Sequence, residues 1–431
     1  MQRCLSVLFL LISFTATSFA QSLEIIGSYP SEGTIYDMEV RENYVFLASG
    51  YAGLEIIDIN DPENPTRIGQ YTEERYIYSL AVKNDYAYLY SREFPISLKI
   101  SIINIADYAN PLFANEYILQ NGIGHMQVMN SLLFCSSGEY GLYVFNISSP
   151  ENPLLWGHYP GLQEYPNVLY LFTQSPYCFM HCSSDYYGGG LKVMNFTNPL
   201  DPAIVCQFDT RTIGAIQLID SIGYLCTGDN SVYLDIYNFS NPSEPVLLGR
   251  YSHSYGEDHL FPHDLCVIRN YCYVNFGWDG GYTSYIQIFD VGDFNNPELV
   301  GNYFADDDIR DIDSFNGNLV VASGSNLLIL NPVNTDIERT DPKPEQHSLL
   351  SNYPNPFNAQ TTISYHLPNQ AAVSLEIYDI LGQKVQTLVD EVQQSGSYDI
   401  VWNASGVSSG VYFARLRTEG NINTTKLVLL K

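Results

Sequence analysis

At 431 residues the chain is long enough for two domains. Hydrophobic residues make up 45% and charged residues only 15%, a balance that fits packed cores and argues against a disordered chain. The formal net charge of -28 argues against a nucleic-acid partner, whose phosphates it would repel. Tyr 35 and Phe 21 favour pleated, half-buried surfaces.

Residues 1–20 read as a secretory signal. Arg3 supplies the positive charge, Leu5 to Phe14 the apolar core, and Ser18-Phe19-Ala20 the small-x-small cleavage site. Cys4 lies too early for a lipoprotein cleavage box. No later apolar run approaches the ~20 residues of a membrane span, so an exported protein with no transmembrane segment is expected. The cysteines after this leader are odd in number and cannot all pair within the chain. Cys135, Cys182 and Cys226 fall where other repeats place Ala48 and Ala322, which reads as core packing.

From residue 21 onward one phrase recurs: an apolar strand, Asn or Asp, a Pro-bearing turn, and a second strand. It is clearest at Gly53 to Pro65 and again at Gly141 to Pro153. The Asn or Asp closing each apolar strand stands at 58, 104, 146, 195, 238, 290 and 331. Their mean spacing of about 45 residues is the period of a four-stranded propeller blade. In the first unit the spacing predicts strands at Ile35–Val40, Tyr44–Ser49, Leu54–Ile59 and Thr66–Tyr71. The third is apolar on both faces, as a sheet packed between two neighbours requires. Pro65 stands at the start of the fourth strand, where a missing N–H is tolerated.

Fourth strands mostly end in Gly-x-Tyr, as at Gly69 to Tyr71 and Gly249 to Tyr251. The seventh unit has no such strand after it, and a spare copy stands at Leu23 to Tyr29. That segment is therefore expected to complete the seventh blade and close the ring, leaving no open sheet edge. The expectation is a seven-bladed β-propeller over 21–334.

These units resemble LVIVD repeats, a family of bacterial extracellular β-propeller repeats. The resemblance rests on Leu54-Glu55-Ile56-Ile57-Asp58-Ile59 with Asp61-Pro62-Glu63-Asn64-Pro65, and on weaker copies through about residue 334. The copy at Leu191 to Phe196 is degenerate, and the seventh lacks the double-proline turn. The resemblance implies a propeller and an exported location, with no assigned chemistry.

Residues 335–348 are polar and Pro-bearing, a linker. Six strand-like runs between Thr361 and Leu430 then predict a small immunoglobulin-like β-sandwich over 349–431, which makes the whole chain all-β. This tail resembles the type A sorting domain of the type IX secretion system. The matching residues are Tyr353-Pro354-Asn355-Pro356-Phe357-Asn358, Ile377-Tyr378-Asp379 with Leu381-Gly382, Trp402, Gly410-Val411-Tyr412, and the terminal Lys426 to Lys431. The resemblance implies handling by the secretion machinery through residues 349–431, and a secreted or outer-membrane-surface location.

Candidate chemistry concentrates where innermost strands begin. Taking the apolar residue three positions later as anchor (Val40, Val82, Val128, Leu171, Leu218, Val267) aligns Asp37, Ser79, His125, Val168, Ala215 and Asp264, with Asp311 as the seventh by analogy. Asp37, His125, Asp264 and Asp311 would then converge near one channel mouth with His263 beside them. Carboxylates and imidazoles there could hold a divalent cation; they could equally satisfy backbone N–H groups at strand starts. His125, His259, His263 and Asp264 are the candidate metal ligands, although no fixed metal motif is present. The acidic run Asp306 to Asp308 lacks the spacing of a calcium loop. Cys178, His181 and Cys182 read as core, because a strand sends His181 to the face opposite the two thiols. Tyr186, Tyr187, Trp278 and Tyr282, on Gly-rich loops, are the candidate contacts for a ligand.

No nucleophile elbow, phosphate loop or dinucleotide fingerprint is present. The expected function is a non-enzymatic, cofactor-free surface module that binds a surface polysaccharide or protein. The alternative is an extracellular metal-assisted hydrolase or lyase at the channel mouth.

Overall fold

The structure, a computed structural model, describes residues 21–430 except 73–75, 94–96, 162, 164–166, 184–188, 211–212, 229–230, 255–259, 279–283, 335–349, 354–356, 368–370, 380–382, 395 and 419–420. The expected leader at 1–20 and linker at 335–348 lie outside the described residues. The chain divides into two compact units, one ending at residue 338 and the other beginning at 339.

Among the described residues of the first unit are seven four-stranded antiparallel sheets and no helix. They are numbered here by their innermost strands: Asp37–Arg41, Tyr76–Lys83, Met126–Met129, Asn167–Gln174, Ile213–Ile219, Leu260–Ile268 and Ile309–Phe315. Each innermost strand lies against those of the sheets before and after it, and sheet 7 lies against sheet 1. The sheets therefore form a closed ring, a β-propeller.

The alternation within each sheet explains the ring. In sheet 1, Val45, Leu47 and Ile57 face Val320, Ala322 and Ile329 of sheet 7, while Phe46, Leu54 and Ile56 face Leu80, Val82 and Leu89 of sheet 2. All are buried, and each Ile or Leu removed from water stabilises the stack by about 1.5–3 kcal/mol. Apolar residues on both faces leave a sheet no solvent side, so only a ring of neighbours satisfies it. All the cysteines after the leader are free; Cys206 is half-buried and the others lie in the core.

Sheet 7 is built from both ends of the unit. Its three strands Ile309–Phe315, Asn318–Ser323 and Asn326–Asn334 are completed by Gln21–Pro30, which pairs antiparallel with Asn326–Asn334. The glycine of the Gly-x-Tyr ending has a steric reason. A Cβ on Gly27, Gly69 or Gly249 would lie 2.0, 1.8 or 2.1 Å from the carbonyl oxygen of Pro62, Tyr108 or Phe294, in the turn of the next sheet. Only glycine lets that turn approach so closely.

The second unit has two sheets around one core. Leu350–Tyr353, Gln360–Leu367 and Gly396–Asn403 form a three-stranded sheet. The other, four-stranded, runs in the order Lys384–Gln393, Ala371–Asp379, Gly410–Thr418, Asn421–Leu429. Trp402 is fully buried, with its ring 5.5 Å from Phe357 and 5.4 Å from Tyr412. Its indole N–H donates to Gln386 at 3.2 Å, and the Tyr412 hydroxyl donates to the Ser408 carbonyl at 2.7 Å. Three residues of the tail's sequence signature are thus one another's packing partners, with their polar atoms satisfied.

Candidate functional site

A cavity of about 600 Å³ occupies the centre of the ring, lined by the innermost strands. Those strands begin alike, with a β-bulge that sets two residues against one. The extra residue is Tyr78, Gly214, His263 or Arg310 where the register shifts in sheets 2, 5, 6 and 7. In sheet 4, Leu169 and Tyr170 together oppose His181. In sheets 1 and 3, Tyr36 and Gly124 donate to carbonyls that the following residue also faces. A bulge re-aims a side chain and ends regular pairing, so seven of them create a rim at one mouth of the cavity. Its members are Tyr36, Tyr78, Gly124, Leu169, Gly214, His263 and Arg310, all but Leu169 lining the cavity.

Immediately inside the rim is a ring formed by Asp37, Ser79, His125, Tyr170, Ala215, Asp264 and Asp311. This corrects one position of the sequence alignment. Thr173 pairs with Cys178 as Val40 pairs with Val45, so the anchor in sheet 4 is Thr173 and not Leu171. The register shifts by two, and Tyr170 rather than Val168 joins the ring. Threonine and valine have nearly the same shape, so a search for an apolar anchor passes over it. Val168 is instead fully buried and bridges to Gly138 of sheet 3.

The structure brings Asp37, His125, His263, Asp264 and Asp311 to this one cavity. His259, Tyr186, Tyr187 and Tyr282 lie outside the described residues, as does the side chain of Trp278. Among the described residues, no three His, Cys, Asp or Glu side chains gather as metal ligands would.

The carboxylates join each sheet to the next. Asp37 accepts from the Leu80 amide at 2.9 Å and the Ser79 hydroxyl at 2.7 Å. Asp264 accepts from the Ile312 amide at 3.0 Å, and Asp311 from the Met38 amide at 2.7 Å. Two residues deeper, Glu39 accepts from Val82 at 2.7 Å and Asp313 from Val40 at 3.4 Å. Gln127 and Gln217 make the same link neutrally, to Thr173 and Val267, both at 2.8 Å.

Protein surrounds these side chains on most sides, and the crowding is electrostatically unfavourable. Burial raises Asp264 to about 6, against the hydrogen bonds it accepts. Asp311 is pushed well above the usual carboxylate range by burial and then by Asp264 and Asp37, so it keeps its proton and shares it with Asp264. Burial likewise raises Asp313, and Glu39 to about 7 despite Arg41 beside it. Burial lowers His125 and His263, holding both imidazoles neutral. The Nδ1 of His125 has no hydrogen-bond partner.

The rim carries a group of tyrosines. Tyr36 lies 5.0 Å from Tyr78 and 5.6 Å from Tyr76, the rings of Tyr76 and Tyr78 stack at 5.3 Å, and Tyr51 meets Tyr76 edge-on at 3.8 Å. Gly50 makes room: its φ of 54° and its lack of a Cβ, which would touch Tyr76 at 2.9 Å, let the rings settle over the turn. The Arg310 guanidinium lies 4.7 Å over Tyr36 and pairs with Asp308 at 3.1 Å. Tyr51 is 70% exposed. Sequence reading missed these residues. Their signal is the position just before each ring member, which carries Tyr, Tyr, Gly, Leu, Gly, His and Arg in chain order.

Residues 32–73 and 221–253 match the LVIVD repeat, and residues 351–430 match the secretion system C-terminal sorting domain. No curated protein matches the chain. Solved structures similar to the chain include the following three. The computationally designed Ika8 protein is 11% identical, over 72% of this chain and 99% of that one, with TM-score 0.49. PorZ, a surface component of the type IX secretion system of Porphyromonas gingivalis, is 14% identical over 93% of this chain and 60% of that one, with TM-score 0.47. The WD40 β-propeller domain of Doa1 is 12% identical over 76% and 99%, with TM-score 0.50, a likeness of fold alone. The chain carries LVIVD repeats and a type IX secretion sorting domain, which indicates export to the outer-membrane surface or the extracellular space.

Proposed function

We propose that the exported propeller is a non-enzymatic binding module whose contact surface is the face bearing the tyrosine rim. The observation that carries this reading is the rim itself. A repeated bulge sets one residue per sheet at a cavity mouth, and on four consecutive sheets those residues are His263, Arg310, Tyr36 and Tyr78. Rigid aromatic rings supply contact area at low entropic cost, and Arg and Tyr dominate contact energies. Tyr186, Tyr187, Trp278 and Tyr282 are the further contacts this reading expects. Inside the rim the carboxylates hold backbone amides of the next sheet, which supports a structural role for them over a catalytic one.

The test screens the full-length protein against peptide and glycan arrays, then repeats the capture with Tyr51→Ala and Tyr78→Ala. A ligand whose capture falls at least tenfold in both variants, with no product formed from it, supports the reading. Capture unchanged by both variants, or turnover of the captured ligand, overturns it.

A further inference from the structure

Resting on the rim as the contact surface, we propose that its ligand is an uncharged saccharide, held as a chain end or short segment at the mouth. A pyranose offers two kinds of surface: an apolar face of C–H groups and an equatorial belt of hydroxyls. The rim offers the complement of both. Tyr36, Tyr76 and Tyr78 pack ring on ring, and the 70% exposed Tyr51 extends the group outward. Beside them the planar Arg310 guanidinium is fixed by Asp308 and by Tyr36, so its donors are pre-organised for vicinal hydroxyls.

The charge around the mouth favours an uncharged ligand. Asp37 and the Asp264–Asp311 pair, which shares a proton, stand immediately inside the rim in a chain of net charge -28, and the remaining negative charge repels anionic sugars. The rim is also lopsided. Among the described residues Gly124, beside Tyr78, and Gly214, across the ring from it, put no side chain at the mouth, whereas Tyr36 and Tyr78 put rings there. The cavity of about 600 Å³ falls within the ~300–1,000 Å³ of small-ligand sites.

The experiment places the full-length protein on one array of uncharged oligosaccharides, uronate-bearing oligosaccharides and peptides. Binding of the best ligand is then titrated with Tyr51→Ala, Tyr78→Ala and Arg310→Gln. Tyr51 is exposed, so its variant reports on binding even if Tyr78→Ala perturbs folding. The expected result is binding of uncharged oligosaccharides at least tenfold tighter than uronate-bearing ones of the same length, weakened at least tenfold by Tyr51→Ala and at least threefold by Arg310→Gln. Equal or preferred binding of uronate-bearing glycans overturns the inference. So does a peptide ligand lost in the same variants, although that result upholds the rim as contact surface. Saccharide binding indifferent to all three variants, or no capture at all, overturns both.

Discussion

The two arcs of the propeller ring do the same structural task with different chemistry. From sheet 6 through sheets 7 and 1 to sheet 2, every junction is joined by a carboxylate: Asp264, Asp311 with Asp313, and Asp37 with Glu39. From sheet 3 to sheet 6 the side-chain links at the same depth are neutral, through Gln127 and Gln217. The rim divides along the same line, with His263, Arg310, Tyr36 and Tyr78 over the charged arc and Gly124, Leu169 and Gly214 over the neutral one. A charged acceptor holds an amide more strongly than a neutral one, at the cost of crowding like charges. The charged arc contains sheet 7, where the two ends of the unit meet, and the links are doubled at its junction with sheet 1 and again between sheets 1 and 2. The difference teaches that a repeat architecture fixes where a link is needed and leaves open which chemistry makes it.

The comparison is tested most strongly by removing one link from each arc. Asp37→Ala strands the Leu80 amide and is expected to cost about 2 kcal/mol, whereas Gln217→Ala is expected to cost about 1 kcal/mol. Denaturant midpoints of the two variants decide the matter, and an equal or larger loss for Gln217→Ala would remove the distinction between the arcs.

A smaller effect is expected with pH. Asp264 and Asp311 have folded values raised above those of the unfolded chain, so the folded ring binds more protons in that interval. Their stabilisation is fully present below the unfolded carboxylate value and is lost as pH rises through the folded values. The stability of the wild type relative to Asp264→Asn/Asp311→Asn should therefore fall by about 1–2 kcal/mol as the pH rises from about 4 to about 7. A difference that is flat across this range, followed by denaturation at fixed salt, would mean that the pair shares no proton.

The smallest effect belongs to the neutral arc. His181 is 1% exposed, stacks on Tyr170, and has no hydrogen-bond partner for either ring nitrogen. Burial lowers it to about 3, so the unfolded chain takes up a proton below the ordinary histidine value and the folded chain does not. Replacement by an apolar ring, His181→Phe, is expected to stabilise by about 1 kcal/mol at pH 8. The gain should grow as the pH falls toward 5. Thermal unfolding at the two values checks it, and a destabilised variant would point to a buried water on the imidazole.

The legible parts of this molecule were those in which one residue type answers one physical need. The apolar third strands and the Asn or Asp that ends them gave away the propeller, because sheets packed on both faces admit few alternatives. Cys135, Cys182 and Cys226 were recognisable as core from the small residues that replace them in other repeats. Trp402, Phe357 and Tyr412 stood out in the tail through its resemblance to a sorting domain, and the fold packs them on one another. The ring inside the rim was legible at every position but sheet 4, where Thr173 takes the place of a valine and moves the register by two. Of the rim, only His263 was legible. Its residues are chemically unlike one another, and what unites them is an extra residue in the ladder, a backbone property without a fixed side chain. The tyrosines were visible in the composition, but nothing local in the sequence says that Tyr51, Tyr76 and Tyr36, from two different sheets, will meet.

The strand that completes sheet 7 pairs Gln21 with Asn334, so the earliest described residues of the unit wait for the last. Until residue 334 is available, sheet 7 lacks a partner and sheet 1 has bare apolar residues on one side. Contacts so distant along the chain slow folding, and unpaired strand edges invite pairing with other chains. The ring can therefore close only when its first and last strands are present together.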